Sequence, residues 1–486
     1  MRRFNVLLVN APWDKPGFYG VRAGSRWPHF ERDTAEYVPF PFFLAYAAAL
    51  LIREKFNVFM IDCVAQKLGE KQLLEEAQRF SPDLILMEIS TVSLDWDLAV
   101  SRKLKEAAGG MLALAGLHAP LGDPAFLAGH DFVDFALYGE YEATLLDLAV
   151  RLRKDDALDA CLGLVHRIEN SSRKEAPRPL VDVDSLPWPA RHFLPMLNYR
   201  DEPGNIPRPS VQMWSSRGCP FGCTFCAWPQ IMYGGSLYRP RSVDNVVDEM
   251  EWLATRAGFA SVYFDDDTFN VNRDRTLQFA SKVEKRRIGA PFAIMARADL
   301  MDREQLVALK KAGMTALKYG VESADSTLLR NAGKALDPSK VEEIVSITHE
   351  LGIKSHLTFM FGLPGETEES AQQTIDLALR LNPESVQFTI ATPFPGSRFY
   401  RELEQQGRLI HSDWSRYDGF FHAAINGEHL SAQRLEQIVA QANQTWWRHV
   451  RKRAGYKPDG FQNTVKKVTS KIGKMAKDAL FGEEKS

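Results

Sequence analysis

Three cysteines within eight residues could hold a metal centre: Cys219, Cys223 and Cys226. Their C-x₃-C-x₂-C spacing places three thiolates on one short loop. A cubane [4Fe–4S] cluster normally takes four cysteine ligands, so three would leave one iron open to a ligand from outside the protein. Zinc is the alternative, but a structural zinc site usually has four ligands in paired short spacings, and no fourth Cys or His lies close by in the sequence. The spacing therefore favours an iron–sulfur cluster with one open iron.

Acids and glycines end the apolar segments that follow the cysteine loop. Helical-looking stretches separate these segments, which is the pattern of a parallel β/α barrel. Active sites of such barrels gather at the carboxyl ends of the strands, so we expect these acids and glycines to lie around one site. The strand-like segments are 262–269, 316–323, 356–366 and 386–396.

The cysteine loop resembles the signature of the radical S-adenosylmethionine (SAM) enzymes, and an aromatic residue directly before the third cysteine also fits that family. The resemblance implies that the amino and carboxylate groups of SAM chelate the open iron. It also implies that the reduced cluster cleaves SAM to methionine and a 5′-deoxyadenosyl radical. The residues expected to bind SAM are Phe225, Asp266, Asp267, Arg297, Glu322 and Gly362. The resemblance names no catalytic residue beyond the iron ligands.

Each of these SAM residues has an expected partner. Asp266 and Asp267 would orient the ammonium or the ribose of SAM, and Arg297 would meet its carboxylate. Glu322 suits a pair of ribose hydroxyls, because an ionised carboxylate accepts two hydrogen bonds at once. The alternative for each acid is to cap the helix that follows, which we favour for Asp265.

Five short strands alternate with helices over the first 150 residues or so. This alternation predicts an open doubly wound sheet, which binds ligands beyond the carboxyl ends of its strands. The predicted strands are 5–10, 57–63, 83–89, 111–115 and 132–138. The predicted helices are 42–55, 70–80, 94–108 and 123–128.

The loops after the last three of these strands resemble those of the cobalamin-binding domain that precedes many radical SAM proteins. That resemblance implies cobalamin contacts from seven residues: Thr91, Ser93, Gly116, His118, Gly139, Glu140 and Glu142. Many cobalamin domains carry Asp-x-His-x-x-Gly, whose histidine ligates cobalt, but His118 lacks that Asp and that Gly. We therefore expect cobalamin without a histidine on cobalt. A generic nucleotide-binding sheet is the alternative.

The fold expected for the whole chain is α/β: a Rossmann-like cobalamin-binding domain, a partial parallel radical SAM barrel and a small helical C-terminal region. We place the first domain at 1–150, a proline-rich linker at 151–208, the barrel at 209–405 and the helical region at 406–486. A glycine- and aromatic-rich loop at 13–28 follows the first strand, and loops of that length are usually functional or disordered.

Composition agrees with a large enzyme of the cytoplasm. The chain has 486 residues, 45% of them hydrophobic, which is ample for a packed core. Its five cysteines, three of them in one loop, do not form a secreted disulfide framework. No stretch of about 20 apolar residues is present, so we expect no membrane span.

The C-terminal segment is strongly basic, with ten basic and two acidic residues between Trp446 and Phe481. Its lysines and apolar residues fall on opposite faces of a helix starting near Val465. Such helices lie on anionic membrane surfaces, which would place the protein at the inner face of the membrane. A solvated terminal helix or a packing face is the alternative. We expect no nucleic acid, because no stacking platform accompanies the lysines.

The family resemblance implies methylation of an unactivated carbon, in a small or lipid-like substrate, through methylcobalamin and a 5′-deoxyadenosyl radical. It also implies a low-potential electron donor of the flavodoxin or ferredoxin type. The second hypothesis is a non-methylating enzyme that forms rings or ethers on a membrane lipid, suggested by residues 24–28 and 226–230. The third is a catalytically silent cobalamin or SAM sensor, which would have no need of an open iron.

Overall fold

The computed structural model describes residues 4–13, 18–20, 29–31, 37–169 and 171–454. The described residues up to 439 form one compact unit, and the described residues from 440 to 454 belong to a second. The segment 24–28 and the amphipathic helix expected near Val465 lie outside the described residues. Among the helices that the structure describes, none has the length and apolar character that crossing a bilayer requires.

The first sheet has seven strands, in the order β4-β1-β5-β6-β7-β8-β9. Its first five strands are parallel, as predicted for a doubly wound sheet, and β8 and β9 continue it in antiparallel fashion. These last two strands lie within the segment expected to be a linker, whose boundaries stay a prediction. β2 and β3 form a separate antiparallel pair. The strands are β1 (Asn5–Asn10), β2 (Phe18–Gly20), β3 (His29–Glu31), β4 (Asn57–Asp62), β5 (Leu84–Ser90), β6 (Met111–Leu117), β7 (Phe135–Leu137), β8 (Leu164–Ile168) and β9 (Ser171–Lys174).

Helices cover both faces of this sheet, so its strands are apolar on both sides. In β1, Val6 and Leu8 point into one core and Leu7 and Val9 into the other, which is the two-residue period of a strand. The helices are α1 (Phe42–Arg53), α2 (Cys63–Gln66), α3 (Glu70–Phe80), α4 (Leu94–Ala108), α5 (Pro124–Ala128) and α6 (Glu142–Lys154).

The second sheet has six parallel strands in the order β10-β13-β14-β15-β16-β17. Consecutive strands are neighbours and β10 and β17 form the two edges, so the predicted partial β/α barrel is confirmed. Two short strands, β11 and β12, pair beside it. The strands are β10 (Ser210–Met213), β11 (Ser216–Arg217), β12 (Arg239–Pro240), β13 (Ser261–Phe264), β14 (Phe292–Ala296), β15 (Met314–Glu322), β16 (Lys354–Phe361) and β17 (Ser385–Ile390).

Helices connect the barrel strands and a longer helix follows them. α9 is capped by Asn272, whose side chain accepts a hydrogen bond from the Arg275 amide, so the expectation that Asp265 caps this helix was wrong. The helices are α7 (Ala227–Met232), α8 (Val243–Thr255), α9 (Arg273–Arg286), α10 (Arg303–Lys311), α11 (Ser326–Asn331), α12 (Pro338–Glu350), α13 (Glu368–Leu381), α14 (Arg398–Gln405) and α15 (Ala432–Arg453).

Helix α1 lies between the two sheets. Its residues from Phe42 to Leu51 are all buried, because one side packs on the first sheet and another meets the barrel. Phe42 stacks on Trp214, which follows β10, with ring centroids 4.1 Å apart. A helix that is apolar all round is the type expected at such a buried position.

Gly116, one of the predicted cobalamin residues, is required by the backbone of the first sheet. It has a φ of +129°, and an added Cβ would lie 2.2 Å from the carbonyl oxygen of Ile89 on the neighbouring strand. Gly116→Ala should lower the free energy of unfolding by about 2–4 kcal/mol through strain and overpacking, measured by urea denaturation.

Gly109→Ala is the matched control for that measurement. Gly109 also has a positive φ, +65°, but an added Cβ would meet nothing within 4 Å. This variant should lose only about 1 kcal/mol, the cost of the left-handed backbone alone. Equal losses at the two positions would show that the contact with Ile89 carries no cost.

Candidate functional site

The cysteine loop runs from the end of β11 to the start of α7 and is partly exposed to solvent. It begins at Gly218, whose φ of +84° and whose approach to the Leu237 carbonyl oxygen leave no room for a side chain. An added Cβ there would lie 2.1 Å from that oxygen. The amide of Gly218 donates to Oδ2 of Asp267, at 2.9 Å, so one of the predicted SAM acids holds the start of the loop.

The side chain of Gln230, on α7, fastens the same loop. Its Nε2 donates to the carbonyl oxygens of Cys223, Thr224 and Cys226, at 3.2, 3.1 and 2.8 Å. Its Oε1 accepts a hydrogen bond of 2.8 Å from the amide of Arg398 at the start of α14. Gln230 was not among the predicted site residues, and no spacing rule for metal ligands would have identified it.

The three cysteine sulfurs do not all lie within 4.8 Å of one another. In the described part of the chain, the one group of three ligand-type side chains with donor atoms within 4.8 Å of one another is Asp159, His166 and Glu175. The three cysteines are not such a group. Tetrahedral zinc with Zn–S bonds of about 2.3 Å would hold its sulfurs about 3.8 Å apart. At least one pair of the cysteine sulfurs is therefore more than 4.8 Å apart, which is wider than such a zinc site.

Asp266 is completely buried at the end of β13 and faces protein donors. Its oxygens accept hydrogen bonds from the amide and hydroxyl of Ser215, at 2.7 and 2.5 Å, and from the hydroxyl of Ser216, at 2.6 Å. Burial raises the pKa of Asp266, and these hydrogen bonds oppose that shift. These contacts give Asp266 a role in positioning β11, and its expected contact with SAM stays a prediction.

Arg297 lies against the cysteine loop. Its guanidinium is 3.9 Å from the ring centroid of Phe221 and forms two hydrogen bonds to Asp299, of 3.0 and 2.7 Å. Burial raises the pKa of the Cys223 thiol, while the charges of Lys334 and Arg297 lower it. Two cations thus lie near a predicted iron ligand, where they would favour its thiolate form.

Glu322 is held in a strained conformation at the end of β15. Its φ is +70°, which is rare for a residue other than glycine, and the pairing of β15 with β16 shifts register there. The carboxylate accepts hydrogen bonds from Lys334, at 2.6 Å, and from the hydroxyl of Thr358, at 3.3 Å. Strain of this kind clusters at functional sites. Lys334 was missed in the sequence because nothing in its spacing marks it.

The two remaining predicted SAM residues lie in different surroundings. Phe225 is half-buried within the cysteine loop. Gly362, with a φ of +94°, follows β16 and donates its amide to the buried carboxyl of Glu366. Burial raises the pKa of Glu366 to about 8. The loop after β16 is therefore held by a hydrogen bond between its own residues Gly362 and Glu366, a contact that the sequence did not predict.

The loops after β5 and β6 bring the predicted cobalamin residues together. The hydroxyl of Thr91 donates to the Leu117 carbonyl oxygen and lies 3.1 Å from Nδ1 of His118. Ser93 donates to the buried carboxylate of Asp97, at 2.7 Å. His118 is buried, and burial lowers its pKa from 6.5 to about 3. These side chains bond to one another and so fix the shape of the two loops.

The Gly139–Glu142 loop after β7 carries two acids that meet the barrel. Glu140 pairs with Arg217, at 3.0 Å, and with Arg239, at 2.5 Å. Glu142 pairs with the other nitrogen of the Arg217 guanidinium, at 2.7 Å. Arg217 directly precedes Gly218 of the cysteine loop. These contacts give both glutamates a positioning role, and their expected contact with cobalamin stays a prediction.

The buried charges of Glu140, Glu142 and Arg217 shift one another's pKa values. The pKa of Glu140 is lowered, because the charges of Arg217 and Arg239 outweigh its burial. The pKa of Glu142 is raised, since burial is complete and Glu140 lies close by. Aromatic rings surround the guanidinium of Arg217, whose pKa is raised by the two glutamates. The ring centroids of Phe43, Tyr46 and Trp214 are 5.0, 4.8 and 5.2 Å away.

Residues 215–378 match the radical SAM superfamily. These residues form a radical SAM domain. The matched segment contains the cysteine loop, Asp266, Asp267, Arg297 and Glu322, and it confirms the radical SAM domain that the resemblance of the cysteine loop implied.

Similar proteins span most of this radical SAM enzyme. An uncharacterised methyltransferase of Pyrococcus horikoshii is 28% identical over 83% of the chain and 86% of its own length. An anaerobic magnesium-protoporphyrin IX monomethyl ester cyclase of Rubrivivax gelatinosus is 25% identical over 82% of the chain and 70% of its own length. The radical SAM methyltransferase TsrM of Kitasatospora setae, solved with cobalamin and a [4Fe–4S] cluster, is similar in structure. The TM-score is 0.65 at 18% identity, covering 83% of this chain and 78% of TsrM, which shows a shared fold.

Replacing Arg217 should destabilise the protein strongly. Arg217→Met would leave Glu142 buried without its cation, and the loss of one partner of a buried ion pair costs about 3–5 kcal/mol. Adding Glu142→Gln should recover part of that loss, since Glu140 keeps Arg239. Urea denaturation followed by circular dichroism measures both variants.

Arg303→Met is the control for Arg217→Met, because Arg303 pairs with Glu350 on the exposed surface. Its effect should stay within about 0.5 kcal/mol. An Arg217→Met loss no larger than that of the control would contradict the assigned role of the network.

Stability should depend on pH through His118. This histidine stays neutral in the folded protein down to about pH 3, whereas the unfolded chain takes up a proton below its usual pKa of 6.5. The stability that the neutral His118 contributes is therefore lost as the pH falls from about 6.5 to about 3. His118→Asn should reduce the drop in unfolding free energy between about pH 7 and about pH 5 by roughly 2 kcal/mol. If the unfolding free energies of the wild type and of His118→Asn fell equally with pH, His118 would not be held neutral in the folded protein.

Proposed function

We propose that this radical SAM enzyme also binds cobalamin, at the carboxyl ends of the first sheet, and methylates an unactivated carbon of a small molecule. The observation that carries the proposal is the Arg217 network. It fastens the loop after β7 to the residue that precedes the cysteine loop, so the ligand end of one sheet and the candidate cluster of the other lie side by side.

The donor set suits the implied cofactors. Three cysteines on one loop, with no fourth cysteine beside them, fit a cluster with one open iron. When bound, the cluster and SAM supply radical chemistry and cobalamin supplies methyl-transfer chemistry. Within the protein, Cys219, Cys223 and Cys226 would hold iron. Arg297 and Glu322 would receive the charged and hydroxyl groups of SAM.

The first sheet supports cobalamin without a histidine on cobalt. Nδ1 of His118 is engaged with Thr91, and burial keeps the ring neutral and enclosed. The loops themselves are bonded internally, through Ser93 and Asp97 among others, and so form a preset surface at the ends of the strands. Ligands of doubly wound sheets bind at that edge. The names of the Pyrococcus and Kitasatospora proteins agree with methyl transfer.

Ring formation is the second candidate, because the Rubrivivax relative is named a cyclase and is similar over most of the chain. A lipid substrate has less support. In the segment 226–230, Trp228 is buried and donates to Tyr233, at 2.9 Å, and Gln230 fastens the loop, so this segment serves the fold. The cytoplasmic location and the membrane contact of the basic C-terminal segment stay predictions.

Single cysteine variants test the cluster. Cys219→Ala, Cys223→Ala and Cys226→Ala should each lose the visible absorbance and most of the iron after anaerobic reconstitution, because each removes one of three ligands. Cys161→Ala is the matched control, since Cys161 is buried far from the loop in sequence and burial raises its pKa to about 12. Loss of iron in the control, or its retention in all three loop variants, would contradict the assignment.

Product analysis separates the candidate reactions. The reconstituted enzyme is incubated with SAM, cobalamin, a strong reductant and a cell extract, and mass spectrometry quantifies 5′-deoxyadenosine and S-adenosylhomocysteine. Both products in similar amounts would support methylation. Deoxyadenosine alone would favour ring formation, and neither product would favour a sensor.

A further inference from the structure

The lower end of the barrel, where its strands begin, is closed by apolar side chains. Ile206, from the segment before β10, packs with Tyr263, Ala293 and Ala316 in a small buried cluster. Gly204 lies against the same strands, since an added Cβ would lie 2.5 Å from Cβ of Ala316. Layers of inward-facing side chains fill β/α barrels in this way. The segment before β10 therefore closes the lumen of the barrel from below.

Three polar residues, His356 and Thr358 of β16 and Gln387 of β17, share one face of the sheet above this closure. The rings of Phe359 and Phe388 stack on the other face, with centroids 5.6 Å apart. Because neighbours along a strand point to opposite faces, the three polar side chains point away from those rings. Thr358 and Gln387 are partners across the ladder, so they lie side by side.

Lys318 of β15 shows that this polar face is the concave one. Its partner across the ladder is His356, so the two side chains leave the sheet on the same side. Nζ of Lys318 lies 4.7 Å from the ring centroid of Tyr263 on β13, a contact that reaches across β14 inside the curve of the sheet. Lys318 also pairs with Asp201, at 2.7 Å. The charges of the lysine and the aspartate offset each other.

The inward-facing polar residues stay partly accessible within an otherwise buried sheet. Lys318, His356, Thr358 and Gln387 are half-buried, whereas the apolar residues beside them on β15 and β16 are buried. Among the residues that the structure describes, neither Nε2 of His356 nor the side-chain amide of Gln387 has a hydrogen-bond partner. Two neutral polar groups in the lumen thus remain available to a bound molecule.

His356 faces the lumen as a neutral ring. Its Nδ1 lies 2.8 Å from the hydroxyl of Ser385. Burial, together with the charge of Lys318, lowers its pKa from 6.5 to about 3. A neutral imidazole with one nitrogen engaged offers the other as a donor or an acceptor, and the amide of Gln387 offers both. Polar groups that stay without a partner in an enclosed site are costly, so a ligand that supplies partners is favoured.

The upper end of the lumen, at the carboxyl ends of the strands, carries residues expected to meet SAM. Thr358 donates to the carboxylate of Glu322, at 3.3 Å, and that carboxylate pairs with Lys334, at 2.6 Å. An added Cβ on Gly320 would lie 2.6 Å from Oε1 of Glu322, so the carboxylate lies over the inner face of β15. A molecule held between the closed lower end and this carboxylate lies next to the proposed SAM site.

We propose that the lumen binds a water-soluble substrate through its hydroxyl or amide groups, and that His356 and Gln387 are the side chains that select it. The inference rests on the proposed function, because it names the class of molecule whose carbon is methylated. A lipid chain in the lumen would leave both groups without partners. A site built to hydrogen-bond a polar group rejects an apolar competitor for that reason.

The test uses the reconstituted holoenzyme with SAM, cobalamin and titanium(III) citrate. A cell extract is separated into an aqueous and a chloroform phase, and the additional 5′-deoxyadenosine that each phase produces is measured over a series of dilutions. The aqueous phase should stimulate the wild type, and the chloroform phase should not.

Two variants test the selecting residues. His356→Leu and Gln387→Leu should each need about tenfold more of the aqueous phase for half of the maximal stimulation, because each leaves a polar group of the substrate without its partner. His356→Gln keeps a donor and an acceptor, so its dose response should lie closer to that of the wild type. An unchanged dose response in both leucine variants would show that these residues do not select the substrate.

His349→Leu is the matched control. Nε2 of His349, on α12, lies 2.9 Å from the hydroxyl of Ser355, so this histidine also meets a serine of the barrel. Ser355 directly precedes His356 and therefore lies on the opposite face of β16, where it is buried under the helix. The control should keep the dose response of the wild type. An equal shift in the control would reduce the effect to packing around β16 and overturn the proposal.

The response of the wild type decides the substrate class. Stimulation by the chloroform phase, or by neither phase, would overturn a water-soluble substrate. Iron content and the 5′-deoxyadenosine formed without any extract are measured first. A wild type that holds no cluster or does not cleave SAM is thereby recognised separately, as a failure of the proposed function itself.

Discussion

The buried guanidinium of Arg217 is the interaction on which the arrangement of the site depends. It comes from the barrel, one residue before the cysteine loop, and its charge is balanced by Glu140 and Glu142 from the first sheet. A cation enclosed by aromatic rings is tolerated only with well-placed anions, because desolvation of an unpaired charge costs several kcal/mol. The two sheets are therefore fixed relative to each other at the point where their ligand-binding edges meet.

Other polar residues extend this constraint into the loop itself. Asp267 holds Gly218, Asp266 holds the two serines before it, and Gln230 holds three carbonyl groups on the far side. Each of these contacts orients the cysteine backbone without using a sulfur. Metal ligands are commonly set in this way by residues one layer removed, which fix ligand geometry before the metal binds.

The helices and strands, and the iron–sulfur chemistry of the cysteine loop, could be predicted from the sequence. Helices predicted at 70–80 and 94–108 coincide with α3 and α4, and the strand at 5–10 with β1, because apolar periodicity is a local property. The partners of buried charges could not be predicted. Glu140 lies 77 residues from Arg217 in the chain, and only the packing of two sheets brings them together. The antiparallel strands β8 and β9 were missed because the proline-rich stretch after them suggested a linker.

Three of the predicted cofactor residues form ion pairs or hydrogen bonds within the protein, and their contact with a cofactor stays a prediction. Glu140, Glu142 and Asp266 lie in loops at the correct edges, yet their carboxylates face arginines and serines. The position of a loop predicts that its residues lie near a ligand. A buried carboxylate, however, needs a cation or hydrogen-bond donors from the protein, because burying an unpaired charge is costly. Glu322 and its partner Lys334 are buried as well, but they lie near Cys223, and the positive φ of Glu322 is the kind of strain that clusters at functional sites. Contact with SAM is thus better sought at Glu322 than at Asp266, although both follow barrel strands and both were equally plausible from the sequence.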